Sequence, residues 1–159
     1  MPVELYAAPL DFTRAEDLQA WATTWATAFE PGVFLLLKGD LGSGKTTFVQ
    51  GLARGLGVAE PVTSPTFTLV QVFATKSYAL VHADLYRLTP EEVWGLDLHE
   101  DWAGAIFAVE WAERLPFTPK QAICLQFLAG EQGHQVLGSS QGCIAGRILE
   151  RGFLEVKPR

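Results

Sequence analysis

Residues 33–53, Val33-Phe34-Leu35-Leu36-Leu37-Lys38-Gly39-Asp40-Leu41-Gly42-Ser43-Gly44-Lys45-Thr46-Thr47-Phe48-Val49-Gln50-Gly51-Leu52-Ala53, decide the fold. Residues 39–46 fit Gly-x-x-x-x-Gly-Lys-Ser/Thr at every fixed position, the pattern of a phosphate-binding loop. The apolar run Val33–Leu37 before it reads as a buried strand, and Thr46–Ala53 after it reads as a helix. Strand, glycine loop and helix are the context this motif requires. Glycines allow backbone N–H groups to turn inward around an anion. The helix N-terminus adds roughly half a positive charge at the same point. Lys45 can reach the β- and γ-phosphates of a nucleotide, and the Thr46 hydroxyl can sit on Mg²⁺. Gly42, Ser43, Gly44 and Thr47 complete the cradle.

Outward from this unit, the chain reads as one domain over residues 1–159. Thr13-Arg14-Ala15-Glu16 has capping-box form, and Leu18, Trp21, Ala22, Trp25 and Phe29 recur at helical spacing up to Pro31-Gly32. Downstream, Val58–Pro65 reads as a polar loop and Thr66–Phe73 as a strand. Ala74–Ser77 is a hairpin turn, and Tyr78–Ala83 is the returning strand. Thr89-Pro90-Glu91-Glu92 predicts a helix start. Ala105–Val109 and Ala122–Leu128 are further strands, and the tail from Gly133 to Val156 reads as short strands and turns. Helices alternating with apolar strands predict an α/β fold of three layers, like that of P-loop NTPases. The hairpin makes its central sheet mixed but mostly parallel.

Composition narrows the function. Apolar residues make up 48% and charged residues 19%, a globular balance. The net charge of −6 argues against a surface that grips nucleic acid through its phosphates. The two cysteines, Cys124 and Cys143, have no metal-type spacing and read as buried reduced thiols. No secretory signal and no long apolar run is visible, so the expectation is a cytoplasmic protein without a membrane span.

Phosphoryl transfer needs an acid for Mg²⁺ and a group that orients the attacking oxygen. In open α/β sheets such groups sit at the carboxyl ends of strands. Asp84 follows Leu80-Val81-His82-Ala83, and Glu110 follows Ile106-Phe107-Ala108-Val109. Either can be the metal acid. His82, one turn of the pleat before Asp84, reads as structural. The chain has no asparagine, so the Asn/Thr-Lys-x-Asp guanine motif of Ras-type GTPases has no full counterpart, and ATP is favoured over GTP. A small-molecule kinase stays open, although its usual arginine-rich lid has no match among the scattered arginines.

Taken together, residues 39–47, Thr63-Ser64-Pro65-Thr66-Phe67-Thr68-Leu69-Val70, His82-Ala83-Asp84-Leu85-Tyr86-Arg87-Leu88 and Val109-Glu110-Trp111-Ala112-Glu113-Arg114-Leu115 stand in a specific order. From about residue 13 to about 150 the chain resembles the TsaE (YjeE) family of small bacterial P-loop ATPases. The resemblance implies a Mg-dependent ATPase needed for threonylcarbamoyl modification of the tRNA adenosine next to the anticodon. It also implies action through a partner complex of TsaB and TsaD, with tRNA met only indirectly. A nucleotide-gated binding module with incidental hydrolysis is the alternative.

By the same resemblance, Lys45, Thr66, Asp84 and Glu110 are catalytic, and Thr46 and Glu110 hold Mg²⁺. Ser64-Pro65-Thr66 is similar to the family's switch loop over the γ-phosphate. Trp111 lies beside the nucleotide or the partner surface, or is a strand-end core residue. Gly146-Arg147 matches a late Gly-Arg of the family and adds Arg147 to the nucleotide contacts. Arg87 contacts phosphate or pairs with Asp84 or Glu91. The chain departs from the family pattern at Leu18, where a threonine close to the nucleotide is usual, and at Ala83 and Ala112.

Overall fold

A computed structural model describes residues 4–63, 70–96, 98, 104–130 and 133–154. Its elements run β1 (Glu4–Phe12), α1 (Ala15–Thr24), β2 (Phe34–Lys38), α2 (Lys45–Gly55), β3 (Val70–Ala74), β4 (Ala79–Asp84) and α3 (Pro90–Gly95). They continue with β5 (Ala105–Glu110), β6 (Ala122–Gly130), β7 (Gly133–Gln141) and α4 (Cys143–Leu154). Short 3-10 turns lie at Ala26–Ala28 and Ala112–Arg114.

The strands form one seven-stranded sheet in the order β1-β7-β6-β2-β5-β4-β3. β2 pairs in parallel with β5 and β6, and β4 with β5. The edges are antiparallel: β3 on β4, β7 on β6 and β1 on β7. The sheet is therefore mixed, with a parallel centre that carries the glycine loop.

Alternate side chains of each strand face opposite layers. On one face Leu35, Leu37, Ile106, Ile123 and Leu125 meet the apolar faces of α1, α2 and α4. On the other, Phe34, Val81, Phe107 and Val109 meet Leu88, Val93 and Ala112. Phe34 and Phe107 stack there with centroids 4.2 Å apart. The helical face is sealed by aromatics. Trp21 of α1 and Trp25, which follows its last residue, make edge contacts with Phe48 of α2 and Phe153 of α4. The Trp21 indole also donates to the Gly152 carbonyl at 2.8 Å.

α1 and α2 approach closely because α2 presents glycine at its contact points. A Cβ at Gly51 would stand 2.3 Å from the Gln19 carbonyl oxygen, and one at Gly55 would stand 2.6 Å from that of Thr23. Gly51→Ala must therefore push backbone against backbone. Alanine gains about 1 kcal/mol in helix propensity, but overpacking of this kind costs about 1–3 kcal/mol or more. We expect Gly51→Ala to lower the urea midpoint of unfolding. A midpoint equal to or above that of the wild type would show that α1 is not fixed at this distance.

Several expectations need correction. The N-terminus forms a strand, β1, that the sequence reading did not contain. The capping box at Thr13–Glu16 is not made: Arg14 is the N-cap, and no side chain caps the helix. α1 ends at Thr24, and the 3-10 turn carries the chain to Phe29, which is buried as expected. The tail is a nine-residue strand, β7, followed by a twelve-residue helix, α4, rather than short strands and turns. Cys143 is exposed and Cys124 is partly buried, so the thiols are not both core residues. The hairpin of β3 and β4 and the capping box at Thr89 and Glu92 are as read. The strand expected from Thr66 is described only from Val70. Among the described residues, no helix is long and apolar enough to cross a membrane.

Candidate functional site

The parallel centre places the carboxyl ends of β2, β4 and β5 at one edge of the sheet, with the start of β7 at the same edge beside the end of β6. A cleft of about 320 Å³ lies there. It is lined by residues 41–47 of the loop, by Asp84, Glu110 and Trp111, and by His134.

The loop enters α2 through Gly44, whose φ of 117° is left-handed. That conformation favours glycine, and a Cβ there would also crowd the Leu18 Cδ2 methyl at 2.9 Å. Ser43 is buried, and its hydroxyl has no protein partner. The first N–H groups of a helix have no intrahelical acceptors. The start of α2 therefore offers donors and a partial positive charge to an anion.

Lys45 is only 5% exposed. Its ammonium donates to the carbonyls of Gly39 and Asp40 and stands 4.2 Å above the centre of the Trp111 ring. Burial lowers its pKa, opposed by the charges of Glu110, Glu113, Asp84 and Asp40. Trp111 has φ 57° and ψ 46° and is the sole non-glycine residue with positive φ among the described residues. That conformation is costly for a bulky side chain. Here it ends β5 abruptly and turns the indole onto Lys45 and onto Tyr86, 4.7 Å away between centroids. Trp111 lines the cleft and also packs, partly buried, against the core cluster of Phe34, Phe107 and Val109.

Glu110 is 3% exposed and is held from both sides. The Thr46 hydroxyl lies 3.0 and 3.1 Å from its two oxygens. On the neighbouring strand, His82 is fully buried, with Nε2 2.5 Å from Glu110 Oε2. His82 is thus structural as read, but its structural task is to fix the acid. Its Nδ1 is buried and has no partner. Asp84 stands beside Glu110 in the register of β4 and β5. Its Oδ1 accepts from the Tyr86 N–H at 3.0 Å, and burial raises its carboxyl pKa above the usual range.

Mg²⁺ keeps several waters and takes one or two carboxylates plus phosphate oxygens. Thr46 and Glu110 supply a hydroxyl and a carboxylate in contact, so the residues present fit such an ion. Among the described residues, no group of three or more His, Cys, Asp or Glu side chains could hold a metal by itself.

The structure thus brings Gly42, Ser43, Gly44, Lys45, Thr46, Thr47, Asp84, Glu110 and Trp111 together. Arg147 is not among them; it is exposed on α4 and does not line the cleft. Arg87 is exposed and forms no ion pair with Asp84 or Glu91. Ser64, Pro65 and Thr66 lie outside the described residues. His134 is the lining residue that sequence reasoning missed. It is a lone histidine after a glycine, and only the return of β7 along β6 brings it to the loop.

Comparison with known proteins gives the family and a structural neighbour. The family model "Threonylcarbamoyl adenosine biosynthesis protein TsaE" matches residues 12–136. A tRNA threonylcarbamoyladenosine biosynthesis protein TsaE from a Nostoc species is 47% identical over 107 residues, 64% of this chain and 66% of that protein. The protein of the same name from Bacillus subtilis is 38% identical over 132 residues, 80% of this chain and 82% of its relative. The crystal structure of Bacillus subtilis YdiB superposes with a TM-score of 0.72 at 28% identity, covering 96% of this chain and 94% of that one. With well over half of its length matched by the family model, this chain belongs to the TsaE family of threonylcarbamoyl adenosine biosynthesis proteins.

Proposed function

We propose that the chain is an ATP-binding and ATP-hydrolysing accessory protein of tRNA threonylcarbamoyladenosine biosynthesis, acting through a TsaB–TsaD partner complex. Family membership supports the pathway. One observation carries the enzymatic part: a buried lysine, a hydroxyl and two strand-end acids converge on one cleft above the glycine loop.

Each residue has a task that its position supports. The loop and the start of α2 bind the phosphates of ATP through backbone N–H groups. Lys45 carries charge to the outer phosphates, and Trp111 closes over its ammonium. Thr46 and Glu110 hold Mg²⁺, which neutralises charge developing on the phosphoryl oxygens. Asp84 stands next to Glu110 at the same edge and accepts a proton from the attacking water; its raised carboxyl pKa suits a base. Thr66 is assigned to the γ-phosphate by its place in the family motif. The net charge of −6 supports contact with tRNA through partners rather than directly.

The test is steady-state phosphate release from Mg·ATP without any acceptor, with and without the partner complex. We expect slow release alone and faster release with partners. Asp84→Asn should keep Mg·ATP bound while slowing release at least tenfold, in the range ascribed to general bases. Phosphate found on an added small molecule would favour a kinase. Wild-type turnover in Asp84→Asn would remove Asp84 from the chemistry.

A further inference from the structure

His82 and Glu110 face the same side of the sheet. Leu80, His82 and Asp84 alternate along β4, and Ile106, Ala108 and Glu110 along β5, with Leu80, Ile106 and Ala108 in the core that α1 and α2 cover. His82 stands opposite Ala108 in the register. Ala108 projects only a methyl group, so the imidazole reaches diagonally along β5 to the acid. His82 is fully buried and Glu110 nearly so.

A carboxylate only accepts hydrogen bonds, so His82 Nε2 donates to Glu110 Oε2, 2.5 Å away. The other ring nitrogen is buried without a partner, so the polar hold of this ring goes to Glu110. The Thr46 hydroxyl has one hydrogen to share between Oε1 and Oε2. The two oxygens of Glu110 are therefore unequal. Oε2 is committed inward to β4, and Oε1 is the one left for a cation. Cations respond differently to that inequality. Ca²⁺ takes about six to eight oxygens and accepts a carboxylate through one oxygen or both. Mg²⁺ is smaller, demands a near-ideal octahedron and keeps several waters.

We propose that His82 sets the cation preference of this site. By holding Oε2 it limits Glu110 to ligation through one oxygen, which suits Mg²⁺ and handicaps Ca²⁺. The proposal rests on the nucleotide reading above and deepens it. His82 is a positioning residue here: it touches neither nucleotide nor cation and acts through Glu110.

The experiment is titration calorimetry of ATP into the full chain in Mg²⁺, in Ca²⁺ and in EDTA, which reads binding rather than turnover. The wild type should bind ATP more tightly with Mg²⁺ than with Ca²⁺. In His82→Leu, which removes the donor, the ratio of the two affinities should fall about tenfold, the lower end of what losing the partner behind a metal ligand costs. Affinity in EDTA should match that of the wild type. His82→Gln, which keeps an N–H for Oε2, should restore the ratio. If His82→Leu does not fold, His82→Met is read in its place. Equal weakening with both cations would make His82 a support of the fold only and overturn the proposal. A glutamine variant whose ratio falls as far as that of the leucine variant would overturn it as well. So would a wild type with no preference between the cations. ATP bound equally in EDTA and in Mg²⁺ would remove the cation, and the proposal with it, while leaving the phosphate loop intact. Wild-type protein that binds no ATP in any of the three buffers would sink the nucleotide reading itself.

Discussion

Lys45→Ala is expected to lose about a hundredfold or more in affinity for Mg·ATP while folding normally. The lysine is buried beside the loop and lines the cleft in which the proposed nucleotide would sit. Hydrogen bonds to a charged group contribute about 1.5–3 kcal/mol each. Two of them removed from the phosphates amount to about 3 kcal/mol, or roughly two decades of affinity. The fold loses much less. The carbonyls of Gly39 and Asp40 that Lys45 engages belong to a loop whose next two residues, Leu41 and Gly42, are exposed, and water can replace the ammonium there. Calorimetric titration with Mg·ATP, paired with a urea melt, separates the two effects. Wild-type affinity in this variant would mean that the loop does not cradle a triphosphate.

Glu110 should give the second large effect, and here the structure changes what the sequence alone suggests. An acid at a strand end reads as a residue for chemistry rather than for folding. Yet Glu110 is buried and is the partner of a fully buried histidine. In Glu110→Ala, both ring nitrogens of His82 lack a protein partner, since Nδ1 already has none. Orphaning a buried donor costs about 1–3 kcal/mol, so the alanine variant should lose stability as well as metal binding. Glu110→Gln keeps an acceptor for His82 and for the Thr46 hydroxyl but removes the charge. It should fold with near wild-type stability and lose at least about tenfold in phosphate release at millimolar Mg²⁺. Mg²⁺ titrations of activity together with urea unfolding of both variants check this. A glutamine variant with unchanged Mg²⁺ dependence would show that Glu110 is not a metal ligand.

The centre of the sheet was legible because its signals are local. Val33–Leu37 and Ala105–Val109 are unbroken apolar runs; Gly39 follows the end of β2 at Lys38, and β5 runs through Glu110 to the turn at Trp111. The glycine loop, Thr46, Asp84 and Glu110 could be placed together because parallel strands put their carboxyl ends on one edge. The two ends of the chain were not legible because their structure is tertiary. β1 contains Pro9, and its register is interrupted between Ala7 and Leu10, which erases the alternation that marks a strand. α4 contains Gly146 and Gly152, poor helix formers by propensity. Gly152 is needed there all the same, because a Cβ at that position would fall 2.3 Å from the Trp25 ring. His82 looked structural from its place on the strand, and only the distance to Glu110 shows what it holds. His134 needed the path of β7, which no pattern in its own neighbourhood announces.

The ammonium over Trp111 also makes the protein its own optical instrument. Indole emission responds to a charge held against the ring, and Lys45 stands 4.2 Å from this one. Trp21 and Trp25 are sealed among aromatics on the far side of α2, where their surroundings do not depend on what fills the cleft. A polyanion that drew Lys45 toward itself would therefore change the colour and brightness of Trp111 against a background from the chain's four other tryptophans. Occupancy of the loop can then be followed in the unlabelled chain, in real time, at concentrations too low for calorimetry.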